Sequence, residues 1–162
     1  MRNIFLNGIR GVTSLEVVIG VSIAGIIIAY SANAITQFLN SARTVATETQ
    51  ALYLAEEGLE LLRYVRDNDW DDIDSLSLST PHYFDIASAT IGTTATPEVI
   101  GDFTRSFILT NVYRDTSTDD IVASTTGGSA ADPDSKYVMV SVGWGTGGEN
   151  VSLTTILTNI AP

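Results

Sequence analysis

Outside its carboxylates, this sequence holds few residues able to do acid–base, nucleophilic or metal chemistry. His82 is the only histidine and there is no cysteine. A single imidazole without a thiol or a second imidazole makes a poor metal centre and a poor nucleophile–base pair. His82 reads instead as a turn residue after Pro81. Asp67-Asn68-Asp69-Trp70-Asp71-Asp72 begins like a calcium loop. Its sixth position is Asp72, where the sharp turn needs glycine, and its twelfth is Leu78, where a bidentate glutamate belongs. The EF-hand reading therefore fails. A looser calcium site from Asp67, Asp69 and Asp71, or from Asp115, Asp119 and Asp120, stays an alternative to solvated acidic loops. Gly127-Gly128 and Gly145 to Gly148 lack the strand–loop–helix setting of a phosphate loop and read as turns. No catalytic, cofactor-binding or metal residue is assigned, and no enzyme is expected.

Charge narrows the field further. Eight Lys and Arg stand against 19 Asp and Glu, a net charge of −11. Nucleic-acid phosphates require clustered cations, so direct nucleic-acid binding is not expected. Yet 44% of the chain is hydrophobic, which an acidic protein tolerates only if the two kinds of residue are kept apart. They are. No charged residue occurs from Val17 through Ala42, and every carboxylate except Glu16 lies at Glu48 or beyond.

As a helix, Val17–Ala42 would span roughly 39 Å, more than the roughly 30 Å hydrocarbon core of a bilayer. Arg2 and Arg10 precede it without an acidic partner, which places the N-terminus in the cytoplasm. Charge and hydropathy alone leave two readings open: a membrane helix, or a secretory peptide cut after Ala34 in Ala32-Asn33-Ala34, releasing a ligand-binding domain. Glu16 separates them, because a carboxylate at the head of a membrane helix is costly unless something neutralises it.

Arg10-Gly11-Val12-Thr13-Ser14-Leu15-Glu16, followed by the apolar run to Ile28, resembles the leader and first helix of type IV prepilins and pseudopilins. The resemblance implies that a prepilin peptidase cuts after Gly11, that the same enzyme N-methylates Val12, and that Glu16 takes part in assembly. Processing would rest on Gly11 and Val12, and assembly on Val12 and Glu16. It further implies a precursor held in the bacterial inner membrane. Other pilin subunits and the inner-membrane assembly machinery would be its partners, in a filament at the cell surface or in the periplasm. Leu52-Tyr53-Leu54-Ala55-Glu56-Glu57-Gly58-Leu59-Glu60 resembles minor pilins and pseudopilins, and the segments Val140–Trp144 and Val151–Asn159 resemble minor pilins. A minor pseudopilin like those of type II secretion is the alternative the resemblance leaves. A cut after Gly11 would leave an ammonium group one helical turn from Glu16. Such a pair, formed between staggered subunits, acts as a register device rather than as a source of stability.

The elements that must carry these residues follow from periodicity. Apolar side chains recur at Ile35, Phe38, Leu39, Ala42, Val45, Ala46, Leu52, Ala55, Leu59, Leu62 and Val65 in steps typical of one helical face. One helix is therefore expected from about Thr13 to about Arg66. Beyond the acidic run Asp67–Asp74, β-branched and aromatic residues mark strands at Tyr83–Ala87, Phe103–Tyr113, Lys136–Trp144 and Val151–Ile160. A hairpin loop is expected at Gly145–Asn150, and a Ser-, Thr-, Gly- and Asp-rich loop at Asp115–Ser135. The expected fold is α+β: a long N-terminal helix whose distal half packs on an antiparallel sheet of about four strands. Its parts are a basic leader at 1–11, a membrane and filament-core helix half at 12–34, a distal helix half at 35–66 and a β-rich head at 67–162.

Overall fold

The computed structural model describes residues 13–86 and 92–160, and its class is α+β. Helix α1 runs Ser14–Asn68 and the one-turn helix α2 spans Asp71–Asp74. Seven strands follow: β1 Tyr83–Asp85, β2 Gly92–Thr94, β3 Glu98–Ile100, β4 Phe103–Asp115, β5 Ile121–Val122, β6 Ser129–Trp144 and β7 Glu149–Thr158. The main sheet is antiparallel with order β3-β4-β6-β7, and β5 adds a fifth strand by pairing with β4. β1 and β2 form a separate two-stranded sheet. His82 joins the main sheet through a β-bridge, exchanging backbone hydrogen bonds of 2.8 Å with Phe107 in both directions. It is thus a paired residue, not merely a turn residue.

The main sheet is four strands across, but the expected strand at Tyr83–Ala87 leaves it for the two-stranded sheet and Glu98–Ile100 takes its edge instead. The segment Asp115–Ser135 is not a plain loop: β5 pairs with β4 on the same edge as β3. β6 begins at Ser129, and Ser129, Ala130 and Ala131 pair with Asp115, Arg114 and Tyr113 of β4. The register then breaks: Asn111 pairs with Lys136, so the stretch from Asp132 to Ser135 bulges opposite Val112. Pro133 sits in that bulge, where its missing N–H breaks no ladder bond with β4. The Arg114 guanidinium ties the bulge down through Asp132.

Residues from Ala46 onward form one compact unit, and residues up to Val45 another. In the first, the core gathers Phe107 and Leu109 of β4, Val138, Val140 and Val142 of β6, and Leu157 of β7. It also takes in Ile73, Phe84 and one seam of α1: Ala51, Ala55, Leu62 and Val65. The seam differs from the expected face. Ala51 and Gly58 are buried in it, whereas Leu52 lies off it and is exposed.

Small residues make this seam because the helix comes very near the sheet. A Cβ added at Gly58 would lie 2.8 Å from Val140 Cγ1 and 3.2 Å from Arg105 Cδ. Arg105 is fully buried in the same place. Its Nε and Nη2 donate to Glu98 Oε2 and Oε1 at 2.9 and 2.8 Å, and Nη1 donates to the Leu54 carbonyl at 3.0 Å. Nη1 also lies 3.2 Å from Glu57 Oε2, and the guanidinium stands 5.0 Å from the Phe84 ring centroid. One cation therefore ties helix to strand, and each of its three guanidinium nitrogens has a partner.

Gly58→Ala tests this close approach through its sign. In an exposed helix the change stabilises by up to about 1 kcal/mol. Here overpacking should destabilise by about 1–3 kcal/mol. Gly25→Ala, whose Cβ would meet nothing within 4 Å, should leave the unfolding midpoint of the β-rich unit unchanged. Denaturant titrations of the full chain in nonionic micelles, read by tryptophan fluorescence, compare the two.

Candidate functional site

The residues expected to carry processing, Gly11 and Val12, lie outside the described residues, and the description of the site begins with the residues after them. Thr13 starts the helix. Its Oγ1 accepts the Glu16 N–H at 3.4 Å and its carbonyl accepts the Val17 N–H at 3.2 Å. Thr13-x-x-Glu16 has the spacing of a capping box, in which the hydroxyl satisfies an orphan helix N–H. That signal was present in the sequence. The Glu16 carboxylate is exposed and has no hydrogen-bond or ion-pair partner among the described residues. It also sits in the first turn, where the helix dipole favours negative charge.

From Leu15 to Val45 the large apolar side chains of α1 are exposed, Ile28 at 68% and Tyr30 at 73%. The helix is long and apolar enough to cross a membrane, and its apolar stretch is not buried among the described residues. Three hydroxyls in this stretch hide their donors. Ser22 Oγ donates to the Val18 carbonyl at 2.7 Å, Thr36 Oγ1 to Ala32 at 3.0 Å and Thr44 Oγ1 to Asn40 at 3.2 Å. Each hydroxyl is thereby satisfied inside its own helix, as an apolar surround requires. Residue type alone did not reveal this.

The acidic clusters are used differently. Asp67 pairs with Arg66, Nε to Oδ1 at 2.8 Å. Asp69 Oδ1 accepts the Asp71 N–H at 3.0 Å. Asp115 Oδ1 accepts the N–H of Ser117 and of Thr118, at 2.8 and 3.2 Å, and so closes its turn. Asp119 follows at φ 63°. Among the described residues, no three His, Cys, Asp or Glu side chains are grouped to hold a metal ion. His82 Nε2 lies 2.8 Å from the Ser77 carbonyl, which ties its ring to the preceding turn. Gly128, Gly145 and Gly148 all have positive φ and serve turns.

At the far end of β4 and β6, Arg114 Nε donates to Asp132 Oδ2 at 2.7 Å and Nη1 to the Asp119 carbonyl at 3.0 Å. The Arg114 hydrogen bond is the main reason that Asp132 titrates below the ordinary carboxylate range. Asp115 is lowered as well, first by the Ser117 hydroxyl and then by the Ser117 and Thr118 N–H groups. Both folded values lie below the unfolded ones. Their stabilising effect is therefore complete above about pH 4 and is lost as pH falls through the depressed folded values. Carbon-detected NMR titration should show Asp132 returning toward the ordinary range in Arg114→Gln, with Asp115 unmoved. An unchanged Asp132 midpoint would assign the depression to another cause.

Compared with protein-family models, with curated proteins and with solved structures, the chain matches none.

Proposed function

We propose that this chain is a structural subunit, a minor one, of a type IV pilus or of a related pseudopilus such as that of type II secretion. One observation carries the reading most directly. A lone carboxylate, Glu16, stands at the head of a helix that shows no charge from Val17 through Ala42 and exposes apolar side chains along that length. A soluble protein would leave that surface in water at a cost of about 25 cal/mol per Å². A bilayer first, and neighbouring helices later, remove it from water.

In this reading the precursor sits in the inner membrane with its N-terminus in the cytoplasm. The prepilin peptidase cuts after Gly11 and methylates the amine of Val12. Removal of the leader takes away Arg2 and Arg10, leaving six basic and 19 acidic residues and a net charge of −13. The β-rich head therefore repels nucleic acid, and the subunit binds none directly. Assembly machinery draws the helix from the membrane into a bundle of like helices. There the ammonium of Val12 on one subunit meets Glu16 of the next. Both charges are in a medium where their attraction far exceeds its value in water, and a subunit docked out of step leaves a charge unpaired.

In the bilayer before assembly, the Glu16 carboxylate reaches the interface or takes up a proton. Glu16→Ala should then be inserted, cleaved and retained in the membrane as well as wild type. In the filament the same change strands an ammonium among apolar helices, a loss of about 3–5 kcal/mol. Glu16→Gln, which keeps shape but not charge, should fail nearly as badly. Sheared surface fractions and membrane fractions probed with one antibody measure this. Equal incorporation of both variants and wild type would refute Glu16 as the register contact.

A further inference from the structure

Backbone groups at the two long edges of the main sheet meet different fates. Strand β4 turns alternate N–H and C=O groups away from β6, and short pieces of chain meet them in turn. β3 pairs with Phe103, Thr104 and Arg105, and β5 pairs with Tyr113 and Arg114. Between them, His82 exchanges bonds of 2.8 Å with Phe107 in both directions, and the Ser79 N–H donates to the Leu109 carbonyl at 2.8 Å. On the opposite edge, the parity of β7 follows from one bond. The Asn159 N–H donates to the Asp134 carbonyl at 2.8 Å, and these residues face each other one step beyond the pair Thr158 and Ser135. The odd-numbered residues of β7 therefore bond to β6, while Ser152, Thr154, Ile156 and Thr158 turn their N–H and C=O groups away from it. No strand among the described residues pairs there, and all four residues are exposed.

Natural sheets blunt an exposed edge with proline, charge, a bulge or brevity, because an open edge templates unwanted pairing. β3 is three residues long, follows Pro97 and starts at Glu98. β7 uses none of these devices. Its ten residues pair with β6 without a register shift, and Val151–Thr158 holds neither proline nor charge. We propose that β7 is a docking edge for an extended, uncharged strand of a different polypeptide, added to the sheet antiparallel to β7. Outward N–H and C=O groups that repeat at every second residue are matched in spacing only by another extended backbone. The side chains beside them, Ser152, Thr154, Ile156 and Thr158, favour β-branched and hydroxyl partners and offer a charged one no counter-charge. A second copy of this chain is ruled out on two counts. Pairing β7 with β7 needs a twofold axis perpendicular to the sheet, which reverses whatever lies along the sheet. Helix α1 lies along it, with the seam from Ala51 to Val65 against the sheet, whereas helices in the filament proposed above all point one way; this step alone rests on that proposal. Pairing β7 with the other edge of a second copy fails because short segments already cover that edge.

The test follows amide hydrogen exchange in β7 of the full chain, labelled with nitrogen-15, in nonionic polyoxyethylene micelles. Alone, the N–H groups of Ser152, Thr154, Ile156 and Thr158 should exchange fast, and those of Val151, Leu153, Thr155 and Leu157 slowly. The probe is an alternating Thr–Val peptide flanked by lysines and N-methylated at every second residue, so that only one of its edges can pair. At about nine times its dissociation constant it should slow the four outward amides about tenfold. The same peptide N-methylated at every residue keeps its charge and side chains and should slow none. A version with Glu in place of Thr should need a several-fold higher concentration, and equal binding would overturn the uncharged partner. Thr154→Pro removes one outward N–H and no bond to β6. Its odd-numbered amides should stay slow, showing the fold intact, while the effect of the peptide is lost. Outward amides already slow in the chain alone would overturn the proposal, as cover by the chain itself if independent of protein concentration and as a second copy if not. Equal effects of the two methylated peptides, no effect of either, or an effect that survives Thr154→Pro would also overturn it. None of these readouts involves Glu16 or cleavage after Gly11, so the docking edge and the filament reading can fail separately.

Discussion

Apolar surface must be covered, and α1 meets that constraint in two ways along its length. From Ala51 to Val65 one narrow seam is buried by the chain's own sheet and the rest of the helix is polar enough for water. From Leu15 to Val45 the apolar residues surround the helix and nothing among the described residues buries them. The first half can satisfy its hydroxyls internally, as Ser22, Thr36 and Thr44 do, but it cannot supply its own cover. In the proposed reading its cover is a bilayer first and neighbouring helices later. Glu16 is the carboxylate at the head of that half, and for that reason it is the residue on which the proposed assembly role rests.

In the β-rich unit the corresponding problem is one of distance. Gly58 lets the helix backbone approach Val140, and the approach brings the Leu54 carbonyl within reach of Arg105. A buried guanidinium is expensive to desolvate, and it stays here because Glu98 meets it with both oxygens while Leu54 and Glu57 take up Nη1. Helix, β3 and β4 are thus specified together rather than one after another. Where the seam ends, before Ala51, the aromatic row of Phe103 and Trp144 is left with an open side.

Much of this was legible in the sequence, for reasons that individual residues make plain. Charge segregation marks the first half of α1, and the helical period of the second half locates its C-terminal end to within two residues. The alternation Val138, Val140, Val142 identifies the core face of β6. Periodicity counts large apolar residues, however, and so it favoured Leu52 and passed over Ala51 and Gly58, whose smallness is what the contact needs. Arg105 carries no apolar signal of its own; it shares the alternate-residue face of Phe107 and Leu109, but its full burial appears only in the structure. The strand Ser129–Ala131 and the bulge around Pro133 depend on pairing with β4 from a distance in sequence, which local propensity cannot encode. At the candidate site, Thr13 was readable as a cap, while Gly11 and Val12 lie outside the described residues.

The reading of the first helix half turns on where the mature chain begins. Intact-mass and N-terminal sequence analysis of the protein recovered from both the membrane and the exported fractions of its native cells measures that directly. Retention of the helix as a processed filament anchor predicts a chain starting at N-methylated Val12, with Glu16 four residues on. A mature chain starting at Ile35 would mean that the helix half is discarded after export, and it would contradict the assembly role given to Glu16.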